Sequence, residues 1–222
     1  MGGERSILED ILYIAFSILD SLAALFLMFR IFRFPFMEYI KEVIVIATII
    51  SLESYFVRVI INCPDLDPII QAWVYVITLR YICKFSWKRA QVVSLIGYLG
   101  FMAVQLSSFL ILDLLGVVVY ADTQLLWGLG THLIQITTDI LCFIIGWLIY
   151  RNGFSFMPRP PHDLRVNEKI SSTNWLILVL GNVVLYVTLY WILNFQSILI
   201  IPIVILTYAI LLFYYRKKDR MT

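Results

Sequence analysis

Three carboxylates, Asp20, Glu53 and Asp139, are set in stretches otherwise made of Ile, Leu, Val and Phe. An ionisable group at mid-membrane costs about 2.5–3.5 kcal/mol on insertion scales, so each asks for a partner or a role. In "THLIQITTD", His132, Gln135 and Asp139 recur at three and four residues, which puts them on one helix face, with Thr131 and Thr138 beside it. Such a seam either glues helices together, as polar side chains do in lipid, or lines a hydrated pocket or a proton path. In "ATIISLESYFVRVIINCPD", Glu53 and Arg58 are five positions apart. On an ideal helix that is about 140° around the axis, so the two do not share a face. Glu53 is expected to look to another helix, with Arg80 or Arg58 as a long-armed partner. Arg58 is otherwise close enough to its span end to reach outward to water, and Arg80 to reach inward. Asp20, Glu53, Arg58, Arg80, His132, Gln135 and Asp139 are thus the candidate intramembrane polar site.

Catalytic chemistry fits these residues poorly. "ESYFVR" resembles the Glu-Glu-x-x-x-Arg signature of the CAAX-protease-like intramembrane family, but Ser54 stands where the second Glu would be. That family also uses helix-borne histidines, and only His132 lies within a span; His162 falls in a proline-rich loop. His132 and Cys142 are ten residues apart, about 15 Å along one helix, so they do not form a nucleophile–base pair. Cys63, Cys83 and Cys142 have neither metal-ligand nor redox spacing, and there is no phosphate-binding glycine loop. No enzymatic activity, cofactor or metal is expected.

The elements that must position these groups are membrane helices. The 222-residue chain is 61% hydrophobic and 14% charged, whereas soluble domains are nearer 45–50% and about 25%. Its net charge of +2 gives no concentrated basic face, which argues against nucleic acid as a partner. Measured against about 20 apolar residues per span, seven runs stand out: 11–29, 43–61, 69–83, 90–112, 125–150, 175–193 and 197–215. The third is short and is expected to extend into its flanks through Leu66 or Phe85. Only Asn194, Phe195 and Gln196 separate the last two, so six spans is the alternative count. The predicted fold class is all-α, a polytopic helical bundle forming a single membrane domain over 1–222.

Loop charges test the count. Arg30, Arg33 and Lys41 follow the first span, Lys84, Lys88 and Arg89 the third, Arg151, Arg159, Arg165 and Lys169 the fifth, and Arg216, Lys217, Lys218 and Arg220 the last. The opposite side holds Arg5. By the positive-inside rule the N-terminus is outside and the C-terminus cytoplasmic. Tryptophans near the span ends fit the same borders. Residues 151–174, with Pro158, Pro160 and Pro161, read as a cytoplasmic loop. Met1–Asp10 lacks a basic n-region and a cleavage site, so the first run is expected to be retained. Milder stripes, Ser17, Asp20, Ser21 and Ala24 in the first span and Gln91, Ser94, Tyr98, Phe101, Gln105 and Ser108 in the fourth, point inward among the first five helices. Gly97 and Gly100 allow close approach there.

Short inner connections such as "FRIFRFPF" and "CKFSWKR", an outside N-terminus and a basic tail after the last helix resemble the membrane sensor region of bacterial quorum-sensing, peptide-responsive histidine kinases. The resemblance covers residues 10–215 and stops before any kinase part. It implies a homodimer, a small peptide ligand at the outer side and a cytoplasmic signalling partner, in a bacterial inner (cytoplasmic) membrane. The expected function is therefore a non-catalytic multi-pass sensor or receptor for signal transduction, embedded in the lipid bilayer. A small proton-coupled transporter and a membrane accessory subunit are the competing readings, with an intramembrane protease behind them.

Overall fold

A computed structural model describes residues 7–119, 122 and 127–152. All of their regular structure is helical: α1 (Ile7–Ile31), α2 (Ile40–Tyr55), α3 (Asp67–Tyr81), α4 (Trp87–Leu114) and α5 (Leu129–Asn152). A 3₁₀ turn, Phe36–Tyr39, leads into α2, and a π turn, Phe56–Ile60, continues it. Four of the helical stretches, Ile7–Ile31, Phe36–Ile60, Arg89–Leu114 and Leu129–Asn152, are long and apolar enough to cross a membrane. The spans expected at 175–193 and 197–215, and the loop 151–174 beyond its first two residues, lie outside the described residues.

The first, second, fourth and fifth expected spans each coincide with one of these long stretches. The third differs. Helix α3 has 15 residues, a rise of about 22 Å against a hydrocarbon core of about 30 Å. It extends in front of 69, where it follows directly on a 3₁₀ turn that ends at Leu66, but not behind, where Phe85 lies past the C-terminus, fully buried. Pro68 at the start fixes one limit. Lys84, with φ +58°, fixes the other by turning the backbone left-handed, and Phe85 N–H donates back to Leu79 O at 3.2 Å. Arg33 (φ +56°) and Asn62 (φ +60°) end the preceding helical segments in the same way.

Helix α1 is the centre of the bundle and packs on α2, α4 and α5. Ala23, Ala24, Leu25, Leu27, Met28 and Phe29 are all buried, so from Ser21 on only the face of Leu22, Phe26 and Arg30 is partly exposed. Lipid tails are as apolar as leucine, so burial in a membrane bundle comes from close packing rather than from escape from water. Small residues therefore sit at the tightest crossings. A Cβ on Gly97 would fall 2.0 Å from Met28 Cγ, and one on Gly146 would fall 2.8 Å from the Phe26 ring.

Contacts along the helices give their directions. Tyr13 meets Trp127 (ring centroids 5.3 Å), Phe16 stacks on His132 (4.5 Å), Phe26 meets Phe143 (5.1 Å) and Arg30 covers Tyr150 (4.3 Å). Residue numbers rise together on both helices, so α1 and α5 run parallel. Helix α2 runs antiparallel to α1: Ser54 and Ser51 meet Tyr13 and Ile14, while Phe36 and Tyr39 meet Phe29. The two ends of the bundle differ sharply. At the α1 C-terminus, Phe29, Phe34, Phe36, Tyr39 and Phe85 form a continuous aromatic cluster at 5.0–6.3 Å between the ring pairs. The other end carries the polar groups.

Candidate intramembrane polar site

Asp20 and Asp139 fall near the middle of α1 and α5, and parallel packing brings them to one level. Their carboxyls lie within side-chain hydrogen-bond reach of each other. Gln135, one turn before Asp139, donates from Nε2 to Asp20 Oδ2 at 2.8 Å. Its Oε1 faces His132 Nδ1 at 3.2 Å, and His132 lies flat on Phe16. The face expected from the three-and-four spacing of "THLIQITTD" is therefore present, and it is turned onto α1. Thr138 bonds its own helix through Ile134 O at 2.7 Å, and Thr131 reaches Asp122 O at 2.8 Å.

A second group occupies the junction of α2 and α3. Arg58 Nε donates to Asp67 Oδ2 at 2.6 Å. Asp67 is 0% exposed and the Arg58 side chain 38%, so the acid is the more completely sealed of the two. Arg58 was expected to extend outward on its own; instead it closes a loop of nine residues onto the first turn of α3. Part of the reason is the π turn, in which Ile61 N–H donates to Phe56 O at 2.9 Å. This widened turn changes the rotation per residue just where Arg58 sits, and an ideal-helix angle no longer applies. The acid also suits its place, because the first turn of a helix favours negative charge.

Glu53 lies close enough to both Arg58 and Asp67 to interact with them electrostatically. Its two carboxyl oxygens are nevertheless buried with no hydrogen-bond partner among the described residues. Beside it, Ser54 shares a 2.9 Å hydrogen bond with the buried Tyr13 hydroxyl. Arg80, the other expected partner, is elsewhere. Its Nη1 donates to Phe85 O at 2.7 Å and its guanidinium lies over Trp87 at 5.9 Å. That position satisfies a backbone carbonyl in the turn between α3 and α4 and serves that turn rather than the interior.

The structure thus joins Asp20, His132, Gln135 and Asp139 into one assembly, places Arg58 on Asp67 at the α2–α3 junction with Glu53 nearby, and leaves Arg80 out. Asp67 and Tyr13 belong to the site although the spacing rules did not select them. The usable signal for Asp67 is the Asp-Pro dipeptide of a helix start, placed after the Cys63–Pro64 turn that follows Arg58. Tyr13 had none, since tyrosine near a span end reads as an interface anchor. Among the described residues no group of three or more His, Cys, Asp or Glu side chains is arranged to hold a metal ion.

Over the described residues, fold and site together define a class: a helical protein of membrane type, with four candidate membrane-crossing stretches and a few buried polar groups within a largely apolar interior. Compared with protein-family models, curated proteins and solved structures, the chain matches none of them.

Proposed function

We propose that the protein is a seven-span sensor of a bacterial inner membrane, without catalysis of its own, with its N-terminus outside and its C-terminus in the cytoplasm. The observation that carries this reading is the asymmetry of the bundle. Glu53, Arg58, His132 and Gln135 lie toward the end that holds the α1 N-terminus, Asp20 and Asp139 lie at mid-depth, and the aromatic cluster of Phe29, Phe34, Phe36 and Phe85 fills the other end. Arg30, Arg33 and Lys84 flank that filled end, and the positive-inside rule favours the cytoplasmic side for it. A ligand would then enter from outside, stop above the aromatic cluster, and act by shifting α1 against α5. A small peptide suits this interior, because Glu53 offers an amino group a carboxyl with no hydrogen-bond partner among the described residues, and the Gln135–His132 pair offers amide and imidazole hydrogen bonds. The signal passes to a cytoplasmic partner at the basic face, and a homodimer would double it.

A small proton-coupled carrier is the second reading, favoured by the Asp20–Asp139 pair at mid-depth. Reconstitution into liposomes separates the two. The sensor reading expects no solute movement driven by a pH gradient. Flux that appears with the gradient and disappears in Asp139→Asn would overturn it in favour of the carrier.

A further inference from the structure

Asp139 is 2% exposed, and neither of its carboxyl oxygens meets a donor among the described residues. Asp20 Oδ1 is likewise buried and without a donor, although its other oxygen accepts from Gln135. The two carboxyls nonetheless approach within hydrogen-bond reach of each other. Two carboxylates have only lone pairs to present, so as a doubly ionised pair they would repel across a site that water does not screen. One proton removes the repulsion and gives Asp20 Oδ1 a donor, because a protonated carboxyl is a donor as well as an acceptor.

We infer that Asp20 and Asp139 form a proton-binding site that holds a single proton between α1 and α5. The hydrogen-bond directions place that proton. Gln135 Nε2 donates to Asp20 Oδ2, which stabilises Asp20 as the carboxylate. Asp139 receives no such donor and is therefore the protonated member, its O–H donating to the vacant Asp20 Oδ1. Gln135 Oε1, being only an acceptor, holds His132 with its proton on Nδ1. The charged and titratable groups facing the pair come from several elements. They are Tyr13 of α1, Arg58 beyond α2, Tyr75 of α3, and His132 and Cys142 of α5. Tyr98 of α4 faces Tyr75 and Arg58. The proton closes the α1–α5 interface at mid-depth, and its loss sets two carboxylates against each other across that interface.

This assignment rests on the reading of the interior as the working site of a membrane-spanning bundle, but its test needs no ligand. Infrared spectra of the purified protein in lipid nanodiscs at neutral pH report the C=O stretch of protonated carboxyls. In wild type carrying ¹³C-labelled aspartate, a protonated-carboxyl band with the isotope shift is expected. Asp139→Asn should abolish it, because Asp20 then ionises on two amide donors. Asp20→Asn should keep it and shift its frequency, because Asp139 stays neutral and donates to the new amide. A band that survives Asp139→Asn unchanged, or is lost only in Asp20→Asn, overturns the inference. Should neither variant fold, the absence of an isotope-shifted band in labelled wild type overturns it equally. A band that behaves as expected in a protein that responds to no ligand sinks the sensor reading and leaves the proton site standing.

Discussion

Asp20 and Gln135 are 115 positions apart in the chain and are joined by a 2.8 Å hydrogen bond between α1 and α5. In lipid a lone interhelical hydrogen bond contributes about 0.6 kcal/mol on average and about 1–2 kcal/mol in favourable cases. This one has an acidic acceptor and should fall near the upper end. Gln135→Ala is expected to destabilise the bundle by about 1 kcal/mol. In a double-mutant cycle, Asp20→Ala should cost measurably less in the Gln135→Ala background than alone. Additive losses in detergent unfolding would mean that the two side chains are not energetically joined.

The Arg58–Asp67 pair predicts an asymmetry. Removing the arginine strands a fully buried carboxylate, whereas Asp67→Asn keeps an amide oxygen that can still accept from the arginine. Arg58→Ala should therefore cost about 3 kcal/mol, by the behaviour of broken buried pairs, and Asp67→Asn only about 1 kcal/mol, as for one weakened hydrogen bond. Combining the two changes should recover most of the loss seen in Arg58→Ala. Equal costs for the single changes would contradict this placement of the pair.

Gly97 predicts a size limit between α1 and α4. Its missing Cβ would lie 2.0 Å from Met28 Cγ and 3.1 Å from Met28 Cα, so a methyl group displaces backbone as well as side chain. Gly97→Ala should cost about 1–3 kcal/mol by overpacking. Trimming the facing residue in Gly97→Ala/Met28→Ala should cost less than the sum of the two single changes. Thermal unfolding of the four proteins in one detergent reads the comparison.

Helix ends predict a pair of opposite backbone effects. Gly116 has φ +69° and open space around the position of a Cβ, so Gly116→Ala meets no steric contact. It should still cost about 1 kcal/mol from the left-handed backbone alone. Lys84 holds φ +58° with a side chain in place, so Lys84→Gly should relieve about 1 kcal/mol. Changes of the same sign at both positions would argue against a common left-handed cap.

The proposed orientation predicts thiol labelling. Cys63, in the turn between α2 and α3, is partly exposed, whereas Cys83 and Cys142 are buried. A membrane-impermeant maleimide added to intact spheroplasts should modify wild type at Cys63 and leave Cys63→Ser unlabelled. Labelling of Cys63 only in inverted vesicles would reverse the assigned topology.

Much of this architecture was legible in the residues because membrane helices are local objects. A run of about 20 apolar residues satisfies its own backbone hydrogen bonds whatever surrounds it, and a period of 3.6 sets which side chains share a face. Four long helical stretches and the His132, Gln135 and Asp139 stripe followed from that alone. The length of α3 did not, because it is set by caps: Pro68 at one end and a left-handed Lys84 at the other. Partnership across helices was the part that sequence could not carry. Glu53 and Arg58 appear as a pair in the chain, yet a π turn and a nine-residue loop give Arg58 to Asp67 and leave Glu53 facing the interior without a donor. Asp20 and Asp139 lie more than a hundred positions apart and meet because α1 and α5 run parallel in contact. Spacing along one helix decides which residues share a face. Only the packing of one helix on another decides what that face meets.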